Sequence, residues 1–152
     1  MGKLEDYATA LAEIRKGRKL GHWIWYVLPQ IAGLGRSSTA QQFALRDLDE
    51  ACANLRDPVL RSRCEEIVIA VAEQLARGIS VDDLMGGSTD ALKLASSATL
   101  FRAAASQLAR RELDPEFSGL AHLCDDLLRQ TAIHGYGACA FTPARCEGLA
   151  HD

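Results

Sequence analysis

Two stretches of this sequence hold residue types that could do chemistry. The first, GHWIWYVLPQIAGLG, runs from Gly21 to Gly35 and sets His22 beside Trp23 and Trp25, with Gln30, Gly33, Gly35 and Ser37 following. Indoles offer flat apolar faces, and a histidine among them can hydrogen-bond a ligand. With Lys19 just upstream, such a set can hold a base and its phosphate. The GLGRSS turn would leave backbone amides free at a helix start, which suits an anion, although a G-x-G turn is a weak signal by itself. The second stretch is STDALKLASSATLF. Asp90, Lys93 and Ser97 are spaced three and four apart and so share one helix face, with Ser96 one step round and Thr99 away from Asp90. An ionised Asp90 near a helix start would orient water or bind ribose hydroxyls. A lysine beside apolar neighbours can act as a base, an imine former or an anion contact.

Each feature also has a plain structural reading. In it the indoles are core, His22 bonds a backbone carbonyl, and the glycines only turn the chain. Asp90 and Lys93 would then be a surface pair worth a few tenths of a kcal/mol. Arg15, Lys16, Arg18 and Lys19 form a basic cluster that suits a solvated helix end, favoured by the negative pole of the helix dipole. His134 and Cys139 suggest a Cys–His nucleophile, but no orienting partner is evident beside them.

The elements that must position these residues are helical. Tyr7, Leu11 and Ile14 recur every three to four positions, and Gly17 is a natural stop. Ser38 with Gln41, and Asp47 with Glu50, have capping-box spacing. Asp57-Pro58 and Asp114-Pro115 each place a cap before a proline at the first helical position. Leu60, Cys64, Ile67, Val68, Val71 and Leu75 mark one apolar stripe that Gly78 ends. Ser80 with Asp83 opens a short turn broken by Gly86-Gly87, and Leu94, Ser97, Leu100, Phe101, Ala104 and Leu108 follow on a further helix. Phe117, Leu120, Leu123, Leu127 and Leu128 line the last one. The stretch from His22 to Leu28 alternates like a strand, but no second segment could pair with it, so it reads as a buried helix ended by Pro29.

Composition narrows the function classes. The 152 residues, 48% apolar and 24% charged, suit one ordinary globular domain. A formal net charge of −3 argues against a general nucleic-acid binder. No apolar run approaches the roughly 18 residues that span a bilayer, and no signal peptide is evident, so the expected location is the cytoplasm. The five cysteines, Cys52, Cys64, Cys124, Cys139 and Cys146, are odd in number and include no C-x-x-C pair. That fits neither a disulfide framework nor a zinc site, and Cys52, Cys64 and Cys124 read as small buried hydrophobes.

With these motifs the chain resembles the domain-of-unknown-function 1810 family of small bacterial proteins. Members carry a G-x-K-x-x-H-W-x-W-F-x-x-P-Q-x-x-G-L-G-x-S segment, here filled by Gly17, Lys19, His22, Trp23, Trp25, Pro29, Gln30, Gly33, Leu34, Gly35 and Ser37. They also carry D-x-K-L-x-S-S-M-T-L-F, here filled by Asp90, Lys93, Leu94, Ser96, Ser97, Thr99, Leu100 and Phe101. The resemblance covers residues 7 to 102. Asp57 stands where the family has histidine, Arg61 where it has glycine, and Ala98 where it has methionine. The family usually begins with an additional helix, which this chain is expected to lack. The resemblance implies a mainly α-helical fold and no established activity.

The resulting expectation is an all-α, compact multi-helix single domain over residues 1–134 with no significant sheet, and an irregular tail over 135–152. The expected activity is hydrolysis of an N-glycosidic bond in a nucleotide or ADP-ribose-like substrate. Asp90, Lys93 and His22 would be catalytic. Lys19, Trp23, Trp25, Gln30, Gly33, Gly35, Ser37, Ser96, Ser97 and Thr99 would contact the ligand. The alternative is a non-catalytic ligand-binding or protein-interaction module using the same cleft. Neither reading calls for a cofactor, a metal, nucleic acid or a membrane; the expected partner is a small nucleotide-like molecule.

Overall fold

The structure, a computed structural model, describes residues 3–30 and 44–138, with side chains for all of these except residues 3–6, Trp25 and Tyr26. Among the described residues the secondary structure is helical. Helix α1 (Lys3–Arg15) is followed by a single turn, α2 (Ile24–Val27). Then come α3 (Leu48–Arg56), α4 (Pro58–Ala76), the short α5 (Val81–Met85), α6 (Ser88–Glu112) and α7 (Pro115–Ile133).

The boundaries follow local chemistry. Asp47 caps α3 by accepting from the Glu50 amide at 2.8 Å. Asp57 caps α4 by accepting from Val59 at 2.9 Å, and Asp114 caps α7 by accepting from Glu116 at 2.9 Å. Pro58 and Pro115 occupy first-turn positions where no amide hydrogen is needed. Ser80 caps α5 through the Asp83 amide at 3.1 Å. The expected cap at Ser38 lies outside the described residues.

The aromatic stretch forms a shorter helix than its sequence suggests. Only Ile24–Val27 is helical, and the turn closes at Leu28, whose amide bonds Ile24 at 3.0 Å. Leu28 has φ −125° and ψ 74°. A residue before proline is pushed out of the helical region, so Pro29 ends the helix one position earlier than its own place.

Helix α6 lies at the centre, packed along α7 and against α3 and α5, while α4 packs on α7, α1 and α3. Residues 94–101 of α6 are buried on every side. One apolar cluster joins the elements, including Ile14, Leu55, Ile67, Leu84, Leu100 and Phe117. A fully buried side chain of this size contributes roughly 1.5–3 kcal/mol relative to exposure. Cys52, Cys64 and Cys124 are free thiols within the core. Burial pushes the Cys124 thiol up to about 12, so it packs as a neutral small hydrophobe. Leu60, placed on the α4 stripe by its spacing, is instead exposed, because it sits in the first turn before α4 reaches its neighbours.

The chain after α7 makes one further tie. Tyr136 hydrogen-bonds Asp82 through its hydroxyl and Thr131 through its amide. Residues 134–138 are not helical; the remainder of the expected tail lies outside the described residues. No helix among the described residues is long and apolar enough to cross a membrane.

Candidate functional site

The site is assembled where the segment after α1 lies across the start of α6. Gly17, with φ +94°, turns the chain out of α1. The next residues run against the α5–α6 junction, and the Lys19 amide bonds the Leu84 carbonyl at 2.7 Å. Gly86 makes that approach possible. Its φ is +78°, and a Cβ there would come within 3.1 Å of the Lys19 carbonyl oxygen. A side chain at that position would push the strap away and carry Lys19 off its partner.

Held this way, Lys19 is buried, its side chain only 5% exposed. Its ammonium lies 2.7 Å from Asp90 Oδ2, donates to the Gly21 carbonyl, and stands 5.0 Å from the Trp23 ring centroid. A buried cation needs this much compensation. The basic cluster therefore divides: Arg15, Lys16 and Arg18 are solvated as the sequence suggests, but Lys19 is not. The reason is tertiary. Asp90, more than seventy positions away, supplies the charge that makes burial tolerable.

Trp23 is likewise core, 3% exposed, with its indole N–H donating to Glu13 Oε1 at 2.9 Å. That oxygen also accepts from the amides of Leu20 at 2.7 Å and Gly21 at 2.9 Å. Burial would raise the Glu13 carboxyl, but the Gly21 and Leu20 amides, the Trp23 indole and the Lys19 charge together draw it below the usual carboxylate range. Sequence spacing missed Glu13 because it falls between Ala12 and Ile14 on a periodic helix and off its apolar stripe. Only the return of the chain at residues 20–23 shows what it holds. The burial of Trp23 leaves no open ring face for a stacked base, so the aromatic platform loses one of its two members.

Asp90 is the hinge of the cluster. It lies in the first turn of α6, where the helix dipole favours a carboxylate. Its Oδ1 is 3.6 Å from the Lys93 ammonium, too long for a hydrogen bond though within ion-pair range. Asp90 and Lys93 are part-exposed, at 23% and 24% of their side chains, so the cluster opens to solvent on this side. Lys19 and Lys93 thus approach the same carboxylate from two sides.

Gln30 fixes the strap from the other end. Its buried carboxamide donates to the Leu28 carbonyl at 2.9 Å and to the Lys93 carbonyl at 2.9 Å, and its own backbone carbonyl accepts from Leu45 at 2.8 Å. The structure thus brings together Lys19, Trp23, Gln30, Asp90 and Lys93. His22 stands exposed in the turn between Lys19 and α2. Ser96, Ser97 and Thr99 lie within the packed middle of α6, where the Thr99 hydroxyl donates to the Ala95 carbonyl at 2.7 Å. Trp25 is in α2, but its side chain lies outside the described residues, as do Gly33, Gly35 and Ser37.

A groove of about 240 Å³ lies elsewhere, between α1 and α4, lined by Arg15, Glu65, Glu66, Ile69 and Glu73 among others. Three carboxylates in its wall make it a poor host for an anion. No group of three or more metal-ligating side chains occurs among the described residues.

Comparison with known proteins places these features in context. The sequence matches, over residues 2–123, the family described as "Protein of unknown function (DUF1810)". A crystal structure of the conserved hypothetical protein Rv1873 from Mycobacterium tuberculosis is similar, with 31% identity and a TM-score of 0.72. The similarity covers 96% of this chain and 91% of that one. No curated protein matches the sequence.

Proposed function

The chain belongs to the DUF1810 family of proteins of unknown function, and on that footing we propose that it binds a small nucleotide-like molecule at the Asp90–Lys93 edge. The observation that carries this reading is the part-exposed Asp90–Lys93 pair backed by the buried Lys19. Lys19 pairs with Asp90 from behind, while Lys93 stands part-exposed on the outer side of the same carboxylate. A phosphate is the natural complement. Asp90 Oδ1, not within hydrogen-bonding distance of Lys93, has room to accept from a ligand hydroxyl such as that of a ribose. His22 adds a solvent-facing donor or acceptor close by in the chain. Free thiols at Cys52, Cys64 and Cys124 suit a reducing compartment, and on that ground we place the protein in the cytoplasm.

Hydrolysis of an N-glycosidic bond is the enzymatic form of the same reading. In it, water adds across the bond to give a free base and a sugar with a new anomeric hydroxyl. Asp90 Oδ1 would orient that water. The binding form is favoured because Asp90 already faces two ammonium groups, which makes it a better anchor than a base.

Calorimetric titration with adenosine 5′-monophosphate and ADP-ribose tests both forms. A charge-assisted contact is worth roughly 1.5–3 kcal/mol, so Lys93→Ala should weaken binding about ten- to a hundredfold. Arg129→Ala, on the exposed face of α7, should leave it unchanged. Equal affinity in the parent and Lys93→Ala would contradict the site. Release of free base that Asp90→Asn abolishes, with binding retained, would establish the hydrolase form over the binding one.

A further inference from the structure

Two helix junctions lie side by side at one end of the bundle. Arg56, the last residue of α3, pairs with Glu112, the last residue of α6, at 2.8 Å. Arg61, near the start of α4, pairs with Glu116, near the start of α7, at 2.7 Å. Its guanidinium also stands 5.1 Å from the Phe117 ring centroid. These contacts bracket residues 57–60 and 113–115, so the two Asp-Pro turns share one face. Each turn is stiff. Asp57 accepts from the Val59 and Leu60 amides, and Asp114 accepts from that of Glu116.

That face is apolar and uncovered. Val59 is 56% exposed, Leu60 36% and Leu113 84%, and Pro58 and Pro115 beside them are exposed as well. Apolar side chains scattered singly over a surface need no explanation, but a rigid group of them with charges around it has the anatomy of a contact. Leu113 adds a second argument. Its φ is +53°, the left-handed conformation that glycine normally supplies at a helix end. Within a single chain a leucine here gains no burial and bears the strain of its Cβ. A surface outside the chain accounts for it.

The charges identify that surface. Residues 56–61 carry two arginines against one aspartate, a net +1. Residues 110–116 carry two arginines against Glu112, Asp114 and Glu116, a net −1. The face as a whole is neutral, which fits neither a strongly charged partner nor an anionic membrane. It fits itself. Turned about a two-fold axis, the basic junction of one copy meets the acidic junction of the other, with the apolar side chains at the centre. We propose that this end of the bundle is a homodimer interface, the Asp57-Pro58 turn of each copy set against the Asp114-Pro115 turn of the other, with Leu113 buried between them. The stiff turns reduce the entropy lost on pairing. An apolar centre of a few side chains supports a weak interface and not an obligate one, so single chains prevail in dilute solution. The Asp90–Lys93 edge, at the opposite end of α6, plays no part in it.

Sedimentation equilibrium of the full chain, over a concentration series reaching the millimolar range, tests this. The apparent mass should rise reversibly from one chain towards two. Leu113→Gly keeps the fold, since glycine suits the left-handed position, and should weaken pairing at least about tenfold because both copies lose the leucine. Ile133→Ala, which alters an equally exposed side chain at the far end of α7, should leave pairing unchanged. Glu112→Arg makes both junctions basic and should abolish pairing; adding Arg56→Glu reverses both signs and should restore it. Thermal melting of each variant in dilute solution checks that the fold is kept. A mass of one chain at every concentration would overturn the proposal and leave the face to a different protein. Pairing that survives Leu113→Gly would overturn it by placing the contact elsewhere. A folded Glu112→Arg variant that pairs as the parent does, or a folded double variant that fails to pair, would overturn the two-fold arrangement.

Discussion

The Trp23 indole N–H ends on Glu13, and removing that carboxylate would leave a buried donor with no acceptor. Glu13→Ala should therefore cost about 1–3 kcal/mol, measured by denaturant unfolding. The titration of Glu13 gives a sharper signature. Its folded carboxyl is held below the ordinary value of 4.5, so the folded state binds its proton less tightly than the unfolded chain. The stabilisation is complete above that value and is lost as pH falls through the folded one. A Glu13→Gln variant should be less stable than the parent near neutrality, and the gap should close as pH falls below 4.5 and through the depressed folded value. A gap that stays constant down to acid pH would mean that the charge of Glu13 contributes nothing. At this scale the sequence was least informative. Lys93 and Asp90 were legible as a pair because three-residue spacing on a helix fixes their proximity. Lys19 and Trp23 stand out by residue type, but spacing alone leaves Trp23 open between core and ligand platform and reads Lys19 as solvated. Their partners come from distant segments, which periodicity does not reveal.

Helix ends were the most legible part of the fold, because a cap and its amide lie within four residues of one another. Asp47, Asp57, Ser80 and Asp114 all cap where their spacing places them. The end of α6 is the exception. Leu113 takes φ +53°, the left-handed conformation, with its amide on the Ala109 carbonyl at 3.1 Å. Its side chain is 84% exposed. Glycine normally fills this position, since a Cβ there costs roughly 1–2 kcal/mol. Nothing in the sequence marks Leu113 as a helix terminator other than the Asp-Pro that follows it. Leu113→Gly should raise stability by about 0.5–1 kcal/mol, because the strain relieved exceeds the added chain entropy and little packing is lost. Urea unfolding would show this as a higher midpoint with an unchanged slope. A lower midpoint would mean that the leucine packs against something in solution.

For the whole molecule, the balance between fold and site is set by α6. Its first turn carries the charges, and its middle is buried on every side. The all-helical class was legible from periodicity, and Cys52, Cys64 and Cys124 were legible as core. The convergence of strap, α5–α6 junction and α6 was not, since it depends on Gly86 admitting the Lys19 backbone. That convergence turns an ordinary surface pair into a backed, outward-facing charge. The account is tested most directly by recording amide NMR spectra of the full chain during titration with adenosine 5′-monophosphate. Saturable shifts should concentrate at Lys19, His22, Asp90 and Lys93. Residues of the acidic groove, Glu65, Glu66 and Glu73, should stay in place. A spectrum unchanged by the nucleotide, or shifts centred on that groove, would contradict it.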